Sequence, residues 1–530
     1  MADVPPPRLV VLFVVDQCRP DYFERFAPRF TGFFARLREQ GRWFTEGEQH
    51  HAFTVTAAGH AALGTGRFPA QNGIVGNDFF DAASGRNVNA TSDPAAKAVG
   101  GLGGGHSGHR LRCDALGDWW KAAHPDAKVV GVALKPRSAI LPLGRGSHSA
   151  WWFDEGKGTF VSSTRCVGET LPEWAARFAD GRPCDRFPSA WEATLEEADY
   201  EALGCTVDDE PTEAPSGTRP TRTFPHALDE RDLARRASAL AVSPFGDELV
   251  LDFARAAVEG ESFGDDAVPD LLTVGLSSTD LIGHRHGPDS REIAEQLLAL
   301  DRALARFVAF LETRVGAGEV LFALSSDHGI PSLPAVARAR RREGDWIDWT
   351  TLEPSVRAAL AAIDPALEKA AISLPNTSLR LDRALLAAAG REVEPVARAL
   401  AAALRQTPPF RDARSHAELQ EPLAPDDRIG PRLRATSEGD RAGDLLFVLP
   451  PGTIYLAGGA RVASVTKGLA TSHGTAWDDD TRVPLVFLGA GVAPAQINGR
   501  AFTVDVAPTL ARAIGLPLPA DLDGVALPLH

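Results

Sequence analysis

The sequence predicts an α/β protein, with a mostly parallel central sheet flanked by helices and smaller subdomains inserted into it. Three observations carry that prediction. Short, nearly continuous apolar runs recur along the chain, as in strands covered on both faces. Helical patterns fall between them. Polar residues capable of chemistry stand where most of these runs stop, the usual place for functional groups in such sheets.

The first run, RLVVLFVV, stops at Asp16. AKVVGVAL precedes Lys135, DLLTVGLSS precedes Asp280, EVLFALSS precedes Asp327 and His328, and TRVPLVFLG follows His473. GFFARLREQG reads as a helix closed by Gly41, and TAAGHAALGTG as one that begins at Thr56. Asp289 or Ser290 can cap a long helix through EIAEQLLALDRALARFVAFLETRVG, and VDVAPTLARAIG supplies another. Gly100 to Gly108 form a flexible or tightly turning loop, and Gly204 to His226 read as a long surface loop. From about Trp346 to Val448, Ala- and Leu-rich helices alternate with Pro-rich turns. The expected domains are a core of residues 8–345 and 445–530, with an irregular insertion at about 135–245, and a small helical or mixed subdomain at 346–444.

A chain of 530 residues can bury a large core, and 44% hydrophobic with 24% charged residues is ordinary for a soluble globular protein. The formal charge of -15 argues against nucleic acid as the main partner. A pair of dications can still make one pocket positive inside an acidic protein. No apolar stretch reaches membrane-spanning length, so no membrane partner is expected. The run Leu9 to Val15 has no basic leader and reads as a strand, not as a signal peptide. None of the five cysteines forms a close CxxC pair; a Cys166–Cys184 disulfide is an open pairing, and Cys18 reads as packed and inert.

Asp280 and His284 are four residues apart in SSTDLIGHRHGP. On a helical turn that spacing puts both on one face, although Gly283 and Gly287 also allow a tight loop. With His473 they make an Asp-His-His set. Asp327 and His328, side by side in SSDHG, make an Asp-Asp-His set with Asp16. Mixed carboxylate and imidazole donors without cysteine suit Zn²⁺, with Mn²⁺ or Fe compatible. Thr56 adds a hydroxyl that can bridge substrate and metal. The joint pattern is that of a bimetallic hydrolase. His286, an extra histidine beside His284, reads as solvent-facing or as support for its neighbours.

On these residues the chain resembles the alkaline phosphatase superfamily, and within it the single-chain, phosphate-irrepressible alkaline phosphatases of bacteria. The likeness runs over nearly the whole length, through VVDQCRPDY, TVTAAGHAALGTGRFPAQNGIVGN, LKPRSAILPLG, AWWFD, TLPEWAARF, SSTDLIGHRHGPDS, SSDHG, TSHGTAWDDDTRVPLVFLGAG and DVAPTLARAIGLPLP. It implies an alkaline-phosphatase-like core and two Zn²⁺ ions. Asp280, His284 and His473 would hold one ion; Asp16, Asp327 and His328 would hold the other, next to the oxygen of the nucleophile Thr56. Asn77, Lys135 and Arg137 would contact the non-bridging phosphate oxygens. The chain departs from the family in having Ala58 where proline is common and Pro136 where an acidic residue is common. Pro136 restricts its own φ and the residue before it, and so bears on how Lys135 reaches substrate.

The chemistry agrees with that resemblance. A neutral threonine is a poor nucleophile, so a metal must stabilise its alkoxide, which attacks phosphorus to give a phosphothreonine that water then cleaves. A monoester dianion presents more negative oxygen than a diester, so Lys135 and Arg137 favour phosphate monoesters. The expected partners are small monoesters and inorganic phosphate, for a monomer or weak oligomer. The resemblance implies a periplasmic or secreted setting, while the start of the sequence, read as a strand, leaves a cytoplasmic one as the alternative. The nearest alternative is a phosphodiesterase or nucleotide pyrophosphatase on the same two-metal core. Sulfatases and phosphoglycerate mutases have other nucleophiles at the position of Thr56. A noncatalytic binding protein would have lost a ligand or the nucleophile, and none is missing.

Overall fold

A computed structural model describes residues 6–146, 148–457 and 468–530. Its frame is an eleven-stranded mixed sheet. Five neighbouring strands at the centre run parallel, in the order Val320–Ser325, Leu9–Val15, Asp270–Leu276, Val129–Ala133 and Ser149–Asp154. On one side the sheet continues through Leu485–Gly489 (antiparallel), Arg42–Glu48 and Ala495–Phe502. On the other it continues antiparallel through Thr159–Ser163, Ser92–Val99 and Gly104–His106.

The alternation of side chains along a strand divides the core in two. Leu9, Val11, Phe13 and Val15 enter one buried cluster, with the helices Pro244–Gly260 and Arg291–Val315 over it. Val10, Leu12 and Val14 point the other way, into a cluster with Leu63, Trp120 and Leu510. Every residue of Leu9–Val15 and Asp270–Leu276 is buried, which is why these strands read as unbroken apolar runs.

Four expected helices form at Phe33–Gln40, Thr56–Thr65, Arg291–Val315 and Val506–Ala513. Of the two proposed caps for the long helix it is Ser290 that accepts from the Ile293 N–H, while Asp289 pairs with Arg340. The Gly100–Gly108 loop is a hairpin between edge strands, with Gly100 and Gly103 at φ of 79° and 105°.

Three details differ from expectation. The stretch 135–245 is not an insertion throughout, because Ser149–Asp154 and Thr159–Ser163 are strands of the main sheet. Its tryptophans follow strand alternation, Trp151 entering one core cluster and Trp152 the other. The small sheet of the 346–444 region reaches past 444, since Leu445–Val448 pairs with both Ser378–Leu381 and Asp412–Ser415. The loop 204–226 is not wholly a surface loop: Glu213, Ala214 and Ser216 are buried within it. All five cysteines are free thiols, so Cys166 and Cys184 are not bridged, and burial pushes the Cys18 thiol well above the usual range.

The helices Trp349–Ile363 and Val393–Leu404 bury their own apolar cluster against the small sheet, including Leu352, Val356, Leu400 and Phe447. A second contact joins this region to the core. Leu433, Leu446 and Val448 pack with Phe53 and Ala57, beside Thr56.

Candidate active site

Of the five parallel central strands, four deliver candidate site residues from their C-terminal ends. Asp16 follows Leu9–Val15, Lys135 follows Val129–Ala133, Asp327 and His328 follow Val320–Ser325, and Asp280 lies in the helix after Asp270–Leu276. A helix, not a tight loop, carries Asp280 and His284: Ser278–His286 places His284 Nε2 3.2 Å from Asp280 Oδ1. His473 arrives from a loop far along the chain, with Nε2 3.4 Å from the same oxygen. Asp280, His284 and His473 thus form one compact donor group.

The second set gathers around His328. Its Nε2 is 3.4 Å from Asp16 Oδ1 and 3.5 Å from Asp327 Oδ2. Asp16, Asp280 and His328 also qualify as one donor group, so Asp280 stands between the two sets.

Two features fit divalent cations. Asp16 Oδ1, Asp327 Oδ2 and His328 Nε2 are buried and have no hydrogen-bond partner among the described residues, although such atoms normally find one. In addition, each histidine uses Nδ1 on a backbone carbonyl: His284 on Thr471 at 2.9 Å, His473 on Thr54 at 2.7 Å and His328 on Gly329 at 3.1 Å. That bond fixes the tautomer and leaves Nε2 as the inward lone pair, the usual support for a ligating imidazole. Burial also holds His328 and His473 below the usual imidazole range and so keeps them neutral, as ligation requires.

Lys135 occupies a telling position. Its Nζ is 2.5 Å from Asp16 Oδ2 and 2.6 Å from Asp280 Oδ2, so one ammonium bridges the two donor sets. Burial and the charges of Asp280 and Asp327 push the Asp16 carboxyl well up. Burial would raise Asp280 too, but Lys135 and His284 outweigh it and hold Asp280 well below the carboxylate range. Three buried carboxylates around one lysine are short of positive charge, which is a demand for cations.

Thr56 is the first residue of its helix and is buried at that helix's amide end, where partial positive charge favours an anion. Asn77 is pinned next to it, its Oδ1 accepting from the Ala57 N–H at 2.9 Å, which leaves the amide nitrogen as a donor. Gly59 lets this helix approach the other donor set, since a Cβ there would lie 2.1 Å from the Asp327 carbonyl oxygen. Pro136 opens the short helix Pro136–Ile140 with Lys135 extended before it, as a residue preceding proline prefers. Arg137 is half-buried in that helix, and its Nε has no partner among the described residues.

Sequence reasoning did not single out the residues that hold these groups. Gln17, at φ 66°, donates its backbone N–H to Asp327 Oδ1 and its side-chain amide to Asp280 Oδ1. Asp480 accepts from the Gly474 and Thr475 N–H groups beside His473. Asp247 accepts from the Ser278 N–H at the start of the Asp280 helix. Gln17 adjoins Asp16, but no spacing rule marks the other two. His286 is not solvent-facing: it is fully buried, with Nδ1 3.0 Å from Glu213 Oε2. Burial lowers His286 to about 4 and, with the nearby Glu292 charge, raises Glu213 to about 11.

Comparison with known proteins agrees with this geometry. Residues 10–475 match the type I phosphodiesterase / nucleotide pyrophosphatase family. Alkaline phosphatase PafA of Elizabethkingia meningoseptica is 32% identical, over 98% of this chain and 94% of its own. A crystal structure of PafA superposes with a TM-score of 0.88 at 31% identity, covering 99% of both chains. A murine ectonucleotide pyrophosphatase / phosphodiesterase 5 shares the fold at a TM-score of 0.53 and 15% identity, covering 98% of this chain and 97% of its own. The chain belongs to the type I phosphodiesterase / nucleotide pyrophosphatase family. Within that family it is a PafA-like member of the alkaline phosphatase superfamily.

Proposed function

We propose that this protein is a divalent-metal-dependent alkaline phosphatase. It hydrolyses small phosphate monoesters through a phosphothreonine on Thr56 and releases inorganic phosphate. The observation that carries the metal-dependent chemistry is the inward set of donor atoms: three imidazoles committed through Nδ1, facing buried carboxylates. Asp280, His284 and His473 would hold one ion, and Asp16, Asp327 and His328 the other. Their donor chemistry favours zinc at both. Bound there, the ions supply positive charge that favours the ionised threonine and the oxygens gaining charge during transfer.

The chain's own groups define the rest. Thr56 Oγ loses its proton and attacks phosphorus as the ester P–O bond breaks, and the leaving alcohol takes up a proton. Water then attacks the phosphothreonine, breaking the bond to Thr56 Oγ and freeing phosphate. Asn77, Lys135 and Arg137 bind the non-bridging oxygens. A solved form of PafA carries substitutions at a threonine, an asparagine, a lysine and an arginine, in the same chain order as these four residues. The two cations favour a monoester dianion over a diester, whose second organic group replaces one charged oxygen. The proposed setting is the periplasm or the exterior, where monoester cleavage supplies phosphate.

The phosphodiesterase reading has support from the family match, but the likeness to the murine phosphodiesterase is one of fold alone. The deciding experiment compares kcat/KM for p-nitrophenyl phosphate and bis-p-nitrophenyl phosphate on one zinc-reconstituted sample. A large monoester preference is expected. A diester preference would retain the two-metal core and overturn the substrate class.

A further inference from the structure

A second group of metal-capable side chains lies away from this site, where the 204–226 loop meets the end of the Asp280 helix. His226 begins a two-residue strand, His286 ends Ser278–His286, and Glu292 stands in the first turn of Arg291–Val315. Glu213 reaches in from the loop, and all four are buried. One nitrogen of each imidazole faces the carboxylates. His226 Nε2 is 2.9 Å from Glu292 Oε1, and His286 Nδ1 is 3.0 Å from Glu213 Oε2 and 3.5 Å from Glu292 Oε1. The donor atoms of His226, His286 and Glu292 all lie within 4.8 Å of one another.

We propose that Glu213, His226, His286 and Glu292 form a third, structural metal site that takes Zn²⁺. The spacing is right for it. Tetrahedral bonds of about 2.0–2.1 Å to zinc put neighbouring donors roughly 3.3 Å apart. The contacts here, 2.9, 3.0 and 3.5 Å, bracket that value. They also match the 3.2 and 3.4 Å contacts of the Asp280, His284 and His473 set.

The outer nitrogens point to the same conclusion. His226 Nδ1 and His286 Nε2 both approach Ser216 Oγ, at 3.3 and 2.9 Å. A hydroxyl oxygen has two lone pairs and can accept an N–H from each ring. With the rings in that tautomer the inner nitrogens are lone pairs directed at the carboxyl oxygens, and either a cation or a shared proton lies between. Neither carboxylate is paired with lysine or arginine; their ion pairs among the described residues are to histidine. Zinc would displace the proton that Glu213 otherwise holds and balance the two carboxylates that result. Two imidazoles favour zinc over calcium or magnesium, and four protein donors make a closed site. Its effect is to fasten the 204–226 loop to the helix that carries Asp280 and His284.

The test is metal content and position. Protein equilibrated with zinc and freed of unbound metal by gel filtration should hold about three equivalents per chain by mass spectrometry. His226→Ala should hold about one fewer. Crystals of the unaltered protein at the zinc edge should show a third anomalous peak among the four side chains, a reading that does not depend on the variant folding. Two equivalents in the unaltered protein, or an anomalous map with no peak there, would overturn the proposal and leave a proton-sharing network in its place.

Discussion

At the scale of single residues, the proposed mechanism separates the group that reacts from those that bind. In that mechanism Thr56 is the nucleophile. Thr56→Ala should lower kcat for p-nitrophenyl phosphate by about 10³-fold or more while leaving zinc content unchanged, since the carboxylate and imidazole donors remain. Unchanged turnover would remove Thr56 as nucleophile. Lys135 and Arg137 concern selectivity. Removing one preorganised charge-stabilising donor costs roughly 10²-fold in comparable sites. Lys135→Ala with Arg137→Ala should therefore cut kcat/KM for the monoester by at least about 10²-fold, and the diester much less. Equal losses for both substrates would show that these cations do not read the extra charge. Asp16, Lys135, Asp280, His284, Asp327 and His328 were legible in the sequence, because a strand end or a four-residue helical spacing marks them, whereas the roles of Asn77 and Arg137 came from the family resemblance. Gln17, Asp247 and Asp480 were not, because each acts through a hydrogen bond whose partner is distant in sequence or is plain backbone.

At the scale of elements, a buried carboxyl lies beneath the first turn of the Asp280 helix. Asp247 accepts from the Ser278 N–H and lies 2.7 Å from the Gln296 side-chain nitrogen, while Gln296 Oε1 has no partner. Burial raises Asp247 to about 7, against the opposing effect of those hydrogen bonds. With the Gln296 amide turned over, a protonated Asp247 donates to that orphaned oxygen. The folded protein then holds a proton that the unfolded chain has lost, so this group's contribution to stability falls as pH rises from about 4 to about 7. Asp247→Asn keeps the donor and removes the titration. Relative to the unaltered protein it should gain stability, on the order of a few kcal/mol, between pH 5 and pH 8 in urea denaturation. An identical pH slope in the two proteins would refute this. The central strands and long helices were evident from periodicity. The strands Ser149–Asp154 and Thr159–Ser163 were not, because tryptophans directed to opposite faces look irregular rather than alternating.

At the scale of the whole molecule, one buried carboxylate ties the small region to the main sheet. Glu48, at the end of Arg42–Glu48, receives Arg432 Nε at 2.7 Å and Arg500 Nη2 at 3.0 Å, and pairs with His50. Burial would raise its carboxyl, but His50 and Arg432 prevail and hold it well below the glutamate range. Its stabilisation is complete above the ordinary glutamate value and is lost as pH falls through the depressed one. Glu48→Ala would leave Arg432 its bonds to Asp478 and the Ala476 carbonyl but take the partner of its buried Nε, and should cost about 1–3 kcal/mol near neutral pH. The deficit in Tm should shrink in acid; a constant deficit would mean that packing, not charge, was lost. Nothing in the sequence linked residues 48 and 432, since an ion pair between distant segments leaves no periodic trace.

The donor groups are scattered along the chain from Asp16 to His473, and this sets when the centre can exist. Translation must pass from Asp16 to His473 before every donor has been made, and the strand Leu485–Gly489 follows later still. A nascent or prematurely ended chain already contains Thr56, Asn77, Lys135 and Arg137, yet lacks a donor of the Asp280 and His284 set. In the proposed mechanism, hydrolysis is thereby withheld from any copy into which His473 has not yet been built and folded.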